Sequence, residues 1–260
     1  MGGVPTMLMA IDVGNTNIVL GVYRDADLVA SWRVETHAQR LADEYAVMIE
    51  RLLAFHELAF GDVNHLVLGS VVPALTSTLT EFGERYLSCR PVVVGPGTRT
   101  GVRILVENPR EVGADRLANT LAAHRLYGGP AIVVDFGTAT NFDVVSAEGD
   151  FLGGAIAPGL VISMQALTDR AARLYRVELT RPKAAIGKNT MTNMQSGLIF
   201  GYVGLVEGLV NRIRSELGPA KVIFTGGLSE IIARETALVD TINPHLTLDG
   251  LRMIFESNEG

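Results

Sequence analysis

Two segments of the chain place a carboxylate, a glycine and small hydroxyl or amide side chains at the end of an apolar run. They are Asp12-Val13-Gly14-Asn15-Thr16-Asn17 and Asp135-Phe136-Gly137-Thr138-Ala139-Thr140. Glycine lets backbone N–H groups come close to a phosphate, Asn and Thr add donors, and a carboxylate holds Mg²⁺ directly or through water. Either copy alone serves as well as a hairpin turn, for which the same residue types are suited. The pair says more, because an acidic residue at each of two strand ends is what two facing lobes need to clamp a nucleotide. A third segment, Asn108-Pro109-Arg110-Glu111-Val112-Gly113-Ala114-Asp115-Arg116, runs from a turn into a helix. Asp115 falls in the first helical turn, where the helix dipole favours its charged form. With Arg116 beside it, the carboxylate suits a site that takes a proton from a hydroxyl and grips an anion. The same residues also make an ordinary acidic helix start. Thr225-Gly226-Gly227 would let an adenine lie flat on backbone, or simply turn a strand into a helix.

The elements that position these residues repeat. Asp12 aligns with Asp135, Gly14 with Gly137, Asn15-Thr16-Asn17 with Thr138-Ala139-Thr140 and Asp27 with Asp150, with no gap over this stretch. Each copy reads as apolar strand, acidic tight turn, second strand, polar turn and third strand, a duplicated β-meander. After the first meander the period changes. Ala46, Ile49, Leu52 and Leu53 share a helical face within 43–56, 64–70 is a short buried strand, and 74–87 is amphipathic. The first half then continues through a short strand at 91–94, an apolar run at 102–106 and a helix from about Gly113 to Tyr127. In the second half, helices are expected at 160–174 and 190–217, a strand at 221–225 and a helix from about Leu228. The Gly128-Gly129-Pro130 turn separates the halves, giving expected domains 7–123 and 124–260. Gly197, Gly201, Gly204 and Gly208 fall three or four apart in the helix Met191 to Ile213. Each costs roughly 1 kcal/mol against Ala, so a close-packed neighbour, the other domain or another subunit, is expected on that face.

Composition narrows the chemistry. The 260 residues are 48% hydrophobic and carry 22 Lys and Arg against 28 Asp and Glu, a formal charge of −6. A globular chain with no basic run is an unpromising partner for nucleic acid. The single Cys89 rules out an internal disulfide and a thiolate zinc cage and fits a reducing cytoplasm. The least polar stretches, 151–168 and 189–206, carry Gly, Pro, Asn, Gln and Ser, so no membrane span is expected. Residues 1–6 lack a signal-peptide pattern and match a permissive myristoylation pattern through Gly2 and Thr6; they read as a short extension. Walker, Rossmann, protein-kinase, zincin and nucleophile-elbow patterns are absent.

The ordered set DVGNT, ENPREVGADR, DFGTAT, FLGGAIAPG, GKNT and TGG spans nearly the whole chain and resembles the type III pantothenate kinases, within the superfamily of acetate and sugar kinases, Hsp70 and actin. The resemblance implies an α/β fold of two ribonuclease-H-like (actin-like ATPase) domains, each a mixed sheet beginning with a three-stranded meander and flanked by helices. It also implies a homodimer and ATP-dependent phosphorylation of pantothenate, the first step of coenzyme A synthesis. By resemblance, Asp12, Val13, Gly14, Asn15, Thr16, Asn17, Ile18 and Val19 form the first phosphate motif, with Asp12 near Mg²⁺. Gly113, Ala114, Asp115 and Arg116 match the pantothenate site, with Asp115 as base and Arg116 reaching the carboxylate. Asp135 matches the ligand of a monovalent cation, K⁺ or NH₄⁺. Thr138 matches a γ-phosphate contact, Thr190 a pantothenate contact near the dimer interface, and Gly226 and Gly227 the adenosine side. Val106 stands where the family often has tyrosine, and Asn141 ends a motif that many members finish with Thr. A ribonuclease-H-like nuclease would need a basic groove that the charge does not provide. A catalytically idle ATP-binding regulatory homologue would be expected to lose Asp12, Asp115 or Asp135, and all three are present.

Overall fold

The strand β1 (Met7–Val13) reads MLMAIDV and is buried on both faces except near Asp12, as expected of a central strand flanked by partners on both sides. A computed structural model describes residues 7–171 and 173–259. The extension at residues 1–6 lies outside them. β1 pairs antiparallel with β2 (Asn17–Arg24), which pairs antiparallel with β3 (Asp27–Glu35). On its other side β1 runs parallel to β4 (His65–Ser70), and β4 to the short β5 (Val92–Val93). The first sheet therefore has the order β3-β2-β1-β4-β5. The second sheet repeats this plan. β6 (Ala131–Phe136), β7 (Ala139–Val145) and β8 (Phe151–Pro158) make the meander, and β9 (Lys221–Thr225) and β10 (Thr241–Ile242) add in parallel, giving β8-β7-β6-β9-β10.

In the first unit, β1 sends alternate side chains to two cores, as strand geometry requires. Met9, Ile11 and Val13 pack with α1 (Ala42–Ala54) and α2 (Pro73–Tyr86). Leu8 and Ala10 pack with α3 (Ala114–Tyr127), through Ala114, Ala118 and Leu121, and with α7 (Leu246–Glu259). The second unit gathers Ile132, Val134 and Phe136 under α4 (Leu160–Arg170), α5 (Thr190–Leu217) and α6 (Ser229–Ala233). Asn189 caps α5 by accepting the Thr192 amide at 2.9 Å.

Two features differ from a division after residue 123. The first unit takes in the described residues of Met1–Val102, Asn108–Ala122 and Thr247–Gly260; the second takes in Arg103–Glu107 and Ala123–Leu246. The C-terminal helix α7 (Leu246–Glu259) joins the first unit because Leu248, Leu251, Ile254 and Phe255 share a core with Leu8, Ala10 and Val67. Gly250 permits this: a Cβ there would lie 2.0 Å from the Ala118 carbonyl oxygen. The apolar run 102–106 forms no named strand. Ile104 makes an isolated bridge to Phe151, and Arg103 pins the segment by a two-pronged ion pair to Asp150 at 2.8 and 2.6 Å.

The gap-free alignment of the two meanders is also corrected. Gly14–Asn17 lies between the paired Val13 and Ile18, whereas Gly137–Ala139 lies between the paired Phe136 and Thr140. The second turn is one residue shorter, so Thr140 takes the structural place of Ile18, not of Asn17.

Candidate active site

In the first unit, Asp12 follows Leu8 and Ala10 on the face that carries α3. Its register partner on β4 is Gly69. A Cβ on Gly69 would lie 3.6 Å from Ala114 Cβ, so the bare backbone lets the start of α3 settle beside the end of β1. Asp115 follows Ala114. The structure thus brings Asp12 and Asp115, 103 positions apart in sequence, to the same end of the sheet. Gly113 opens α3, its carbonyl accepting the Leu117 amide at 3.2 Å. A Cβ at Gly113 would meet Asp115 Oδ1 at 2.4 Å, which shows how closely the carboxylate folds back over this backbone.

Asp115 behaves differently from the expectation based on the helix dipole alone. Burial pushes its carboxyl above the ordinary carboxylate range and outweighs the Arg116 amide and guanidinium, which pull it down. A carboxylate held out of water is a stronger base than a solvated one, and the cation beside it offsets part of that gain.

The Gly14–Asn17 turn is tied down by a residue that motif reading passed over. Thr36, just after β3, donates its hydroxyl to the Gly14 carbonyl at 2.7 Å and its amide to the Thr16 carbonyl at 2.9 Å. Gly14 donates its own amide to the Asn17 carbonyl at 2.9 Å. Asn15 and Thr16 are exposed at the tip. Val13 and Ile18 are buried in the apolar core, so their side chains anchor the turn and only their backbone can serve a ligand.

In the second unit, Asp135 lies opposite Asn141 on β7 and Thr225 on β9, a polar row across three strands. A Cβ on Gly226, whose φ is +86°, would sit 2.5 Å from Asp135 Oδ1 and 2.7 Å from the Phe136 carbonyl oxygen. Asp135 and Gly226 are therefore neighbours, and glycine is required both by the backbone conformation and by the close approach. Ser229 steadies the turn by donating its hydroxyl to the Gly226 carbonyl at 2.8 Å, with Gly227 next in the chain. Thr138 is exposed at the tip of its turn. Thr190 lies apart from this row, on a groove of about 730 Å³ between α4 and α5 that Leu160, Leu167, Gly197 and Gly201 also line. Beyond the chain neighbours and the backbone of α5 itself, no described atom comes within 4 Å of where a Cβ on Gly197, Gly201 or Gly204 would stand. Among the described residues these three glycines are left uncovered, while at Gly208 a Cβ would meet Arg212 Nη1 at 3.5 Å. Val106, at the tyrosine position, lies 3.6 Å from where a Gly153 Cβ would be.

Among the described residues no cluster of three His, Cys, Asp or Glu side chains could cage a metal ion. Asp12, half-buried near the end of β1, offers a carboxylate of the kind a magnesium ion takes together with water and phosphate oxygens. Around Gly226 the Asp135 carboxylate oxygen and the Phe136 carbonyl oxygen lie beside the Phe136 amide, and those two oxygens are of the kind a hard cation takes. Among the described residues no helix is long and apolar enough to cross a membrane.

Two like-ordered mixed sheets, each opening on a meander with an acidic first-strand end, make up an actin-like ATPase fold. Solved structures share that fold: a Campylobacter jejuni protein described as a Baf family transcriptional activator (TM-score 0.62, 19% identity, covering 96% of this chain and 98% of that one) and component A of Acidaminococcus fermentans (R)-2-hydroxyglutaryl-CoA dehydratase (TM-score 0.56, 13% identity, 95% of each). The family model for type III pantothenate kinase matches residues 8–212. Proteins named type III pantothenate kinase are 52% identical over 97% of this chain and 100% of the relative in Moorella thermoacetica, and 53% identical over 97% and 99% in Roseiflexus sp.. The chain belongs to the type III pantothenate kinase family.

Proposed function

We propose that the protein transfers the γ-phosphoryl group of ATP to the primary hydroxyl of pantothenate, giving 4′-phosphopantothenate for coenzyme A synthesis. Family membership over nearly the full length carries this reading. The meeting of Asp12 and the start of α3 at one sheet end supports the roles of the residues.

Asp115 takes the hydroxyl proton at its carboxylate as the oxygen attacks in line, and Arg116 pairs with the pantothenate carboxylate. Gly14 to Asn17 offer backbone and side-chain donors to the phosphates, and Thr138 does the same for the γ-phosphate from the second unit. Asp12 would hold Mg²⁺ through water, and Asp135 a monovalent cation, K⁺ or NH₄⁺. When bound, these ions neutralise negative charge on the phosphates and on the carboxylates that hold them. Gly226 and Gly227 lie under the adenosine. The exposed glycine face of α5 and the groove beside it, with Thr190 at its rim, meet a second copy of the chain to form a homodimer. The enzyme works in the cytoplasm, consistent with its lone cysteine. Incubating the purified protein with ATP, Mg²⁺, K⁺ and pantothenate and weighing the product tests the reading; an unchanged pantothenate mass under excess ATP would refute it.

A further inference from the structure

The turn that carries Thr138 is held from beneath by a side chain that no motif marks. Because this turn is one residue shorter than its counterpart, Thr140 occupies the place that Ile18 fills in the first unit. Ile18 is buried in an apolar core. Thr140 is just as completely buried, which leaves a hydroxyl where an alkyl group would otherwise pack. A buried hydroxyl needs a partner. It finds the hydroxyl of Tyr202, which projects from α5 and is itself 5% exposed. Tyr202 also donates to the Pro158 carbonyl at 3.4 Å. Pro158 ends β8, and the next residue, Gly159, donates its amide to the Thr138 carbonyl at 3.1 Å. A Cβ on Gly159 would stand 2.2 Å from that oxygen and 2.7 Å from the Gly137 oxygen, so the strand end presses directly on the turn. One phenol thus joins the residue just after the turn to the strand end that bears on its tip.

We propose that Tyr202 is a positioning residue for phosphoryl transfer, fixing the Gly137–Ala139 turn so that Thr138 meets the γ-phosphate in one geometry. Burial pushes the phenol above its ordinary value, against a smaller pull from Thr140 and the Leu160 backbone, so the hydroxyl keeps its proton under working conditions. The inference rests on the reading of Thr138 as a γ-phosphate contact.

Tyr202→Phe removes only the hydroxyl and keeps the ring against Phe136, whose centroid is 6.3 Å away. Its kcat should fall about tenfold, since sub-ångström misplacement of a positioning group is felt mainly in the chemical step. The pantothenate KM should stay within about twofold, and so should the affinity for ADP, which lacks the γ-phosphate. Thr140→Val should reproduce the loss, Thr140→Ser should restore turnover, and the Tyr202→Phe/Thr140→Val double variant should be no worse than either single one. If Tyr202→Phe does not fold, Thr140→Val and Thr140→Ser carry the test. Wild-type kcat in the folded hydroxyl-deletion variants would overturn the inference, and so would an ADP affinity that falls in step with kcat. Thr138→Ala separates the two levels. Normal turnover there overturns both the γ-phosphate reading and this inference, whereas lost turnover there with normal Tyr202→Phe overturns the inference alone.

Discussion

Replacing Asp115 by Asn separates a catalytic base from a helix cap. The amide keeps the shape of the carboxylate over Gly113 and can still accept a hydrogen bond at the start of α3, but it cannot take a proton from the substrate hydroxyl. Turnover should fall by roughly 10² to 10⁴, the usual contribution of a positioned general base. Stability should move little, because two effects oppose each other. Losing the charge forfeits a dipole interaction of about 0.3 to 1 kcal/mol, while it relieves the burial that raises the wild-type carboxyl above its ordinary value. For a chain of this size a net change within about 1 kcal/mol shifts the melting midpoint by roughly 2 to 4 °C. The pH dependence has a definite sign. A carboxyl whose folded pKa lies above its unfolded one binds more protons in the folded state, so wild-type stability falls as pH rises from the unfolded value through the raised one. Asp115→Asn should flatten that part of the profile and gain relative to wild type above it. Turnover by product mass, measured beside melting midpoints across pH 3 to 8, reads both effects; that range is about that of carboxylate titration. A large loss of stability with near-normal turnover of the folded fraction would make Asp115 a structural cap and leave the base unassigned.

Arg116→Ala should raise the pantothenate KM more than it lowers kcat, because the contact proposed for it with the substrate carboxylate would be present in ground and transition states alike; steady-state kinetics checks this. Turnover should require K⁺ or NH₄⁺, and equal rates in K⁺ and Tris would remove the cation role from Asp135. Gly201→Leu should yield monomer or aggregate by light scattering, since Gly197, Gly201 and Gly204 of α5 are left uncovered among the described residues; a normal, active dimer would place the interface elsewhere. Gly226→Ala should lower stability by more than about 1 kcal/mol, since a left-handed backbone alone costs a residue with a Cβ that much and the added methyl would overlap Asp135.

Much of this architecture was legible in the order of residue types. The meanders, the 190–217 helix and the 221–225 strand follow from apolar periodicity and turn residues, which are local signals. What escaped was tertiary. The register change in the second turn shows only in strand pairing, because Thr140 looks like one more polar turn residue until its partner across the sheet is known. Gly69 and Gly250 matter for what approaches them, Ala114 and Ala118, and a lone glycine does not announce its neighbour. Thr36 ties the Gly14–Asn17 turn from just beyond the third strand, where the sequence shows only a polar residue ending a strand. The helix α7 could have been found: Leu248, Leu251 and Phe255 keep helical spacing. Its place in the first unit could not, since periodicity reveals an apolar face and not its partner. For Asp115 the dipole was readable and the burial was not, and burial decides the direction of its shift.

The most direct test is whether phosphorus from the γ-position of ATP appears on pantothenate. With Mg²⁺, K⁺, labelled ATP and pantothenate, the purified wild-type protein should form labelled 4′-phosphopantothenate with one ADP released per product, and Asp115→Asn should form almost none. ATP binding or hydrolysis by wild type with no label on pantothenate would contradict the kinase assignment.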